Sequence, residues 1–159
     1  MAHFEFVTLW RIKAPVDAVW QTVYDYERWP AWWRGVEQVN VIERGRPDGV
    51  GTVMNQVWKS VLPYRLRFQT RVSRVEPLRL FEVLSDGQLR GVGLMQFSVE
   101  RDVTVVRFDW NVDATEAWMN VLAPVARRVF GWNHGAIMSW GAECLGEKLH
   151  AELVSIEAR

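Results

Sequence analysis

The stretch YRLRFQTRV, residues 64–72, decides the fold class because its side chains alternate strictly between two sets. Successive side chains of a β-strand point to opposite faces, so this period of two predicts a strand with one buried and one solvated face. Arg65, Arg67 and Arg71 fall on the solvated face. We expect them to lie beside acidic residues of neighbouring strands, and not to form a binding patch.

Five further segments of the same kind surround this stretch between residues 36 and 112. The predicted strands are 36–44, 51–61, 64–75, 79–85, 89–100 and 103–112. The connections between them, such as Asp86-Gly87 and Arg101-Asp102, contain residues that favour tight turns. Short connections of this kind predict a meander of antiparallel strands with one buried face.

The residues before the meander predict one more strand and two short helices. Residues 4–13 alternate like the other strands, and Pro15 fits the first position of a helix. The apolar face of that helix comprises Val16, Val19, Trp20 and Val23. A second short helix is predicted over residues 27–34, with Gly35 as its end.

The segment after the meander, residues 113–159, is predicted to be helical throughout. Asp113 and Glu116 have the spacing of a capping box, with Asp in the place of the usual Ser or Thr. Pro124 is expected to break or kink the helix, and we expect residues 118–131 around it to form a gate. The inward face of the long helix comprises His134, Met138, Gly141, Leu145 and Leu149.

These elements predict a single α+β domain that spans residues 1–159. A curved antiparallel sheet of six or seven strands wraps around the long C-terminal helix, and two short helices follow the first strand. A curved sheet that grips a helix leaves space between the two, and the side chains that line this space decide the function.

Composition excludes several classes of function. The 159 residues carry 19 Lys and Arg against 19 Asp and Glu, and this net charge of zero argues against a nucleic-acid partner. The single cysteine excludes an internal disulfide framework and is expected to be a buried structural thiol. Without an apolar run of 18 residues, we expect a cytoplasmic protein with no stable membrane insertion.

The sequence predicts neither a metal site nor a cofactor. Its histidines, at positions 3, 134 and 150, are far apart, and no Asp/Glu cluster has the spacing of metal ligands. Gly91-Val92-Gly93 is only a fragment of a phosphate-binding loop and lies between strands.

An unusual content of ten tryptophans suggests an aromatic-lined cavity, although a filled aromatic core would use the same residues. So much rigid volume is difficult to pack without voids, which favours the cavity. The predicted ligand-binding residues are Trp58, Phe68, Phe97, Phe108, Trp110, His134, Met138 and Gly141. For Gly141, close packing against a bulky side chain is an equally good explanation.

His134 is the best polar candidate because it lies on the inward face of the long helix. It is interpreted either as a general acid/base or ligand anchor, or as a structural imidazole bonded to a strand backbone or to Asn133. Gln56 and Tyr64 are weaker polar candidates, since their orientation depends on the strand register.

Several motifs resemble those of a known superfamily. Ile12-Lys13-Ala14-Pro15, Val19-Trp20, Asp25, Trp29-Pro30 and Trp32 resemble the opening of the START-like, birch-pollen-allergen-like (SRPBCC) superfamily. Gly91-x-Gly93, Asp109-Trp110-Asn111-Val112, Trp118-Met119-Asn120, Ala123-Pro124 and Trp132-Asn133-His134 resemble its polyketide cyclase/dehydrase branch. The resemblance implies a helix-grip fold around a deep hydrophobic cavity.

Three functions follow as hypotheses. The first is binding of a small hydrophobic molecule of the polyketide, lipid or quinone type between the sheet and the helix. The second is a polyketide cyclase or dehydratase that uses His134 as acid/base, and a second polar group in the cavity would favour it. The third is a protein-interaction or co-chaperone module, which predicts an exposed apolar patch and a filled interior. The oligomeric state and the identity of the ligand stay open.

Overall fold

The computed structural model describes residues 2–59 and 61–159 and contains one antiparallel sheet with helices packed on its concave face. The elements, in chain order, are β1 (Ala2–Ile12), α1 (Val16–Tyr24), a 3-10 turn (Tyr26–Arg28), α2 (Trp29–Trp32), β2 (Val36–Glu43), β3 (Val53–Lys59), β4 (Arg65–Glu76), β5 (Leu80–Gly87), β6 (Leu89–Glu100), β7 (Val103–Ala114), α3 (Ala117–Val121), α4 (Ala123–Leu149) and β8 (Leu153–Ala158).

The eight-stranded sheet confirms the predicted meander and the helix-grip architecture. Its strand order is β2-β3-β4-β5-β6-β7-β1-β8, so β2 to β7 follow one another in space as they do in sequence. The first strand closes the meander by pairing antiparallel with β7, with Phe6 opposite Trp110. The predicted ends of the strands differ from the observed ones by only a few residues.

The outer face of β4 carries the arginines as predicted. Arg65, Arg67 and Arg71 are exposed, whereas Thr70 and Val72 between and beyond them are buried. Arg65 pairs with Glu37 on β2 at 2.7 Å and Arg71 lies 4.0 Å from Glu43 at the end of the same strand, so two of the three arginines lie beside acidic residues on the solvated face.

The C-terminal prediction is wrong after residue 149. The helix α4 ends in a Schellman motif, in which His150 N–H donates to Glu147 C=O and Ala151 N–H to Gly146 C=O. His150 adopts the left-handed conformation (φ 51°) that this motif requires. The chain then forms β8, which pairs antiparallel with β1 and raises the number of strands from the predicted six or seven to eight.

The predicted capping box is also wrong. Asp113 lies in β7, opposite His3 of β1, and its carboxylate hydrogen-bonds the His3 Nδ1 at 2.7 Å. Strand pairing with β1 and β6 continues to Ala114, and this places the start of α3 at Ala117. Pro124 occupies the first turn of α4, where the helix does not need the N–H that proline lacks and where the fixed φ of proline is already helical, so it starts this helix and does not kink it. The gate around it remains a prediction.

A tryptophan fixes the distance between α4 and the sheet. Trp33 is 2% exposed, and its indole N–H donates to the Ile137 C=O of α4 at 3.1 Å. The same indole lies against Gly141, where a Cβ atom would be only 2.4 Å from it. Close packing therefore accounts for the glycine at this position.

Candidate functional site

A cavity lies between the concave face of the sheet and α4, as the helix-grip architecture predicts. The centre of a water-sized molecule can move through about 120 Å³ inside it, which is roughly ten times the volume that one bound water requires by this measure. The residues around it are Trp29, Trp33, Met54, Gln56, Trp58, Leu66, Phe68, Thr70, Phe81, Val83, Leu89, Gly93, Leu94, Met95, Phe108, Asp109, Trp110, His134, Ile137 and Met138.

Aromatic rings from β3, β4 and β7 form one continuous wall of this cavity. The Trp58 and Phe68 rings are stacked with their centroids 6.4 Å apart, and Phe68 lies 5.9 Å from Trp110. The Trp110 ring covers Gly93, where a Cβ atom would be 2.5 Å from it. The glycine therefore makes room for an aromatic side chain that would otherwise be displaced.

Six of the eight predicted ligand-binding residues line the cavity together. They are Trp58, Phe68, Phe108, Trp110, His134 and Met138. The structure places the other two elsewhere. Phe97 packs edge-on against Trp20 of α1, with centroids 5.0 Å apart, and Gly141 lies against Trp33.

His134 reaches the cavity from α4 with its ring stacked on Phe6 at 4.5 Å. Its Nε2 atom is buried and has no hydrogen-bond partner within residues 2–59 and 61–159. Burial lowers the pKa of His134 from 6.5 to about 4, so the imidazole is neutral at neutral pH. Asn133 makes a different contact, since its side-chain oxygen accepts the Val61 N–H at 3.2 Å.

Gln56 and Thr70 add a second polar group to the cavity. The Gln56 amide donates to the Thr70 hydroxyl at 2.8 Å and accepts the Trp58 indole N–H at 2.8 Å. Thr70 serves as acceptor here, so its own hydroxyl hydrogen is left to donate to another group. Sequence analysis gave Gln56 only as a weak candidate and did not identify Thr70. The alternation along β4 could have indicated Thr70, because it places Thr70 on the same inner face as Phe68.

The remaining polar groups near the cavity have other roles. The Asp109 carboxylate accepts two hydrogen bonds from Arg107, at 2.8 and 3.0 Å, and is thus already paired. Tyr64 packs against Trp118 and Phe130 outside the cavity, and burial raises its pKa to about 12, so its hydroxyl stays protonated.

The part of the chain that the structure describes contains neither a cluster of metal ligands nor a membrane-spanning helix. No three His, Cys, Asp or Glu residues come close enough together there to hold a metal ion. None of the helices combines the length and apolar character needed to cross a bilayer. Cys144 lies half-buried on α4 as a free thiol.

Comparison with known proteins places this geometry in a wider set. A family model described as polyketide cyclase / dehydrase and lipid transport matches residues 12–137. No curated protein sequence matches the chain.

Solved structures share the fold at low sequence identity. The Zhui aromatase/cyclase from a Streptomyces species is 14% identical, with a TM-score of 0.75 over 93% of this chain and 94% of that one. A START superfamily protein from Mycobacterium smegmatis is also 14% identical, with a TM-score of 0.72 over 92% and 98%. A Thermus thermophilus protein is 19% identical, with a TM-score of 0.74 over 91% and 99%.

Proposed function

This chain belongs to the polyketide cyclase / dehydrase and lipid transport family, and from that premise we propose that it binds a compact, neutral, largely aromatic ligand between the sheet and α4. The ligand carries at least one hydroxyl or carbonyl oxygen that forms a hydrogen bond with His134. Molecules of the polyketide or quinone type, or the ring portion of a lipid, have this chemistry.

The buried, unpartnered Nε2 of His134 is the observation that carries the proposal. A buried polar atom without a hydrogen bond costs about 1–3 kcal/mol. This cost falls on a residue that lines an aromatic-walled cavity, next to the stacked Phe6 ring. A ligand oxygen at that point recovers the lost hydrogen bond, and the aromatic wall supplies apolar contact.

The ligand is neutral because the cavity offers no cation to pair with an acid. Among the described lining residues there is no Lys or Arg, and burial keeps His134 uncharged. Transfer of an unpaired carboxylate into such surroundings costs several kcal/mol.

We therefore predict that naphthol binds measurably better than naphthoate, by at least about tenfold in Kd. The two probes share one bicyclic ring system and differ in charge at neutral pH. Isothermal titration calorimetry on the wild-type protein measures both affinities. Equal affinities, or tighter binding of naphthoate, would contradict the proposed ligand class.

A cavity-filling variant tests the position of the ligand. Leu66 lines the cavity, and Leu66→Trp replaces its side chain with a larger indole that fills part of the cavity. We expect naphthol affinity to fall at least about tenfold because this cavity volume is lost. Leu84→Trp on β5 is the matched control, because Leu84 is 46% exposed and lies away from the cavity. Naphthol affinity should be unchanged in this control; equal losses in both variants would place the ligand elsewhere.

A cyclase or dehydratase remains the second candidate, and the Gln56–Thr70 pair supports it. Such an enzyme folds a poly-carbonyl chain in a dry cavity and moves a proton at one oxygen. Gln56 and Thr70 can orient a carbonyl, but they do not ionise at neutral pH. Proton transfer would thus depend on His134, whose low pKa makes it a weak base. Ligand binding is for this reason the better-supported function.

His134→Ala separates the two candidates. For an enzyme, the variant loses turnover of a poly-β-ketone substrate and keeps naphthol affinity nearly intact. For a binding protein, naphthol affinity falls about tenfold, in line with one lost hydrogen bond of ordinary strength. Native mass spectrometry of protein purified gently from its host then identifies the natural ligand by its mass.

The third hypothesis, a protein-interaction module, predicted a filled interior, and the cavity is at odds with that part of it.

A further inference from the structure

Five large apolar side chains on α3, on the first half of α4 and at the residue between the two helices are exposed, and together they are called the apolar patch here. The exposed fractions are 44% for Trp118, 79% for Val121, 55% for Leu122, 67% for Val125 and 62% for Trp132. Single exposed apolar residues are common on protein surfaces, but a run of five on one short stretch of chain indicates an interaction site.

Within each helix the apolar patch has the spacing of one helix face. Trp118 and Val121 are three positions apart on α3, Val125 and Trp132 are seven positions apart on α4, and Leu122 lies between the two helices. The opposite face is the one that packs inward, since Met119 is 2% and Ala126 6% exposed. This segment thus presents apolar residues on both faces. On the outer face Trp118 contacts Tyr64 and Phe130, and it is still 44% exposed.

Two unpaired arginines accompany the apolar patch. Arg127 and Arg128 are exposed, and neither takes part in an ion pair with any residue that the structure describes. Residues 117–142 contain no Asp or Glu that would neutralise them. Other arginines, such as Arg44 and Arg107, pair with nearby carboxylates. Residues 117–142 therefore carry a positive charge of their own, although the whole chain is neutral.

We propose that the apolar patch docks on the surface of an anionic lipid bilayer. Tryptophan favours the boundary between lipid headgroups and acyl chains, aliphatic side chains enter the outer acyl region, and arginine attracts anionic headgroups. A second copy of the chain is a poorer occupant, because a symmetric contact would bring four unpaired arginines together. The docking is peripheral, and it does not depend on what the cavity holds.

The position of the patch gives this docking a use. Two turns beyond Val125 and Arg128 on the same helix, His134, Ile137 and Met138 line the cavity. The outer face of one segment would thus contact lipid while the continuation of the same helix forms a cavity wall. A ligand that dissolves in the bilayer would then have a short path between lipid and cavity.

Flotation of the protein with lipid vesicles tests the proposal. The vesicles contain either phosphatidylcholine alone or phosphatidylcholine mixed with phosphatidylglycerol, at low salt. We expect the wild-type protein to float with the mixed vesicles and much less with the neutral ones. Each arginine near an anionic surface is worth roughly fivefold in partitioning, so Arg127→Gln with Arg128→Gln should reduce it about 25-fold.

A matched pair of valine variants tests the apolar part. Val121→Glu places a charge at the most exposed position of the patch and should abolish flotation, whereas Val99→Glu changes a valine that is 57% exposed at the end of β6 and should keep it. Thermal unfolding of all variants confirms that they fold. Failure of the wild-type protein to float, or equal flotation with both vesicle types, overturns the proposal.

Binding of the apolar patch to a second copy of the chain or to another protein, instead of to lipid, would also overturn the proposal of membrane docking. If sedimentation shows a dimer that Val121→Glu dissociates, and no flotation occurs, the patch binds a second copy. Naphthol affinity, measured on the same variants, keeps this test separate from the proposed cavity ligand: Val121→Glu should leave it unchanged.

Discussion

Replacement of Gly141 by alanine should lower the free energy of unfolding by about 3 kcal/mol, one of the two largest effects expected of a single change in this protein. The added Cβ atom would lie 2.4–2.7 Å from three atoms of the Trp33 indole. Trp33 cannot move away cheaply, because its ring is enclosed by Trp10, Trp29 and Trp58, with centroids 5.2–5.3 Å distant. A shift would also break its hydrogen bond to the Ile137 carbonyl.

Gly135→Ala on the same helix is the control, with the opposite sign. A Cβ atom at Gly135 has no atom within 4 Å. Alanine in a helix interior is favoured over glycine by about 0.5–1 kcal/mol, so this variant should be more stable than the wild type. Urea denaturation, followed by circular dichroism, measures both changes. A destabilisation of less than about 1 kcal/mol in Gly141→Ala would mean that α4 moves freely relative to Trp33.

The fold could be predicted from the sequence wherever one face of an element is wet and the other dry. β4 illustrates this, because its arginines alternate with buried side chains and leave one register compatible with burial. β8 could not be predicted in this way. It lies at the edge of the sheet, its side chains are mostly half-buried or exposed, and its pattern shows no clear alternation. The left-handed His150 that ends α4 gave no signal either, since glycine usually occupies that position.

The candidate site could be predicted where the face to which a side chain points is enough to determine its contacts. Trp58, Phe68, Phe108 and Trp110 reach the cavity because inner faces of neighbouring strands share it. Phe97 also points inward, yet α1 covers that end of β6, and its Trp20 fills the space beside it. Which end of the sheet a helix covers is a long-range property that periodicity does not contain. The role of Thr70 likewise depends on the register between β3 and β4.

Stability should fall as the pH is lowered from 6.5 towards 4, and His134 should account for a loss on the order of 3 kcal/mol. The ordinary pKa of 6.5 applies to the unfolded chain, whereas burial lowers the pKa in the folded chain to about 4. Between these values the unfolded chain binds a proton that the folded chain does not. The contribution of His134 is therefore fully present above pH 6.5 and is lost as the pH falls through this window.

His134→Phe isolates this contribution, because it keeps a ring of similar size on Phe6 and removes the titrating nitrogen. Urea denaturation between pH 7.5 and 4 should show a shallower dependence in the variant. At pH 7.5 the variant should be at least as stable as the wild type, since it also removes a buried nitrogen without a partner. Other groups still titrate in the variant. His3, whose pKa is raised by Asp113, acts with the opposite sign, and Glu37, whose pKa is lowered by Arg65, acts mostly below this window.

The same substitution distinguishes a structural histidine from one kept for a ligand. If the imidazole has a structural role, it stabilises the fold, and His134→Phe would destabilise the protein at every pH. If the imidazole serves a ligand, it lowers the stability of the ligand-free protein. Its removal should then raise the stability and lower the naphthol affinity. Opposite signs for these two measurements would mean that His134 serves the cavity at the expense of the fold. Equal pH dependence in both proteins would show that the imidazole is not held neutral by burial, and the proposed hydrogen bond to a neutral ligand would fail with it.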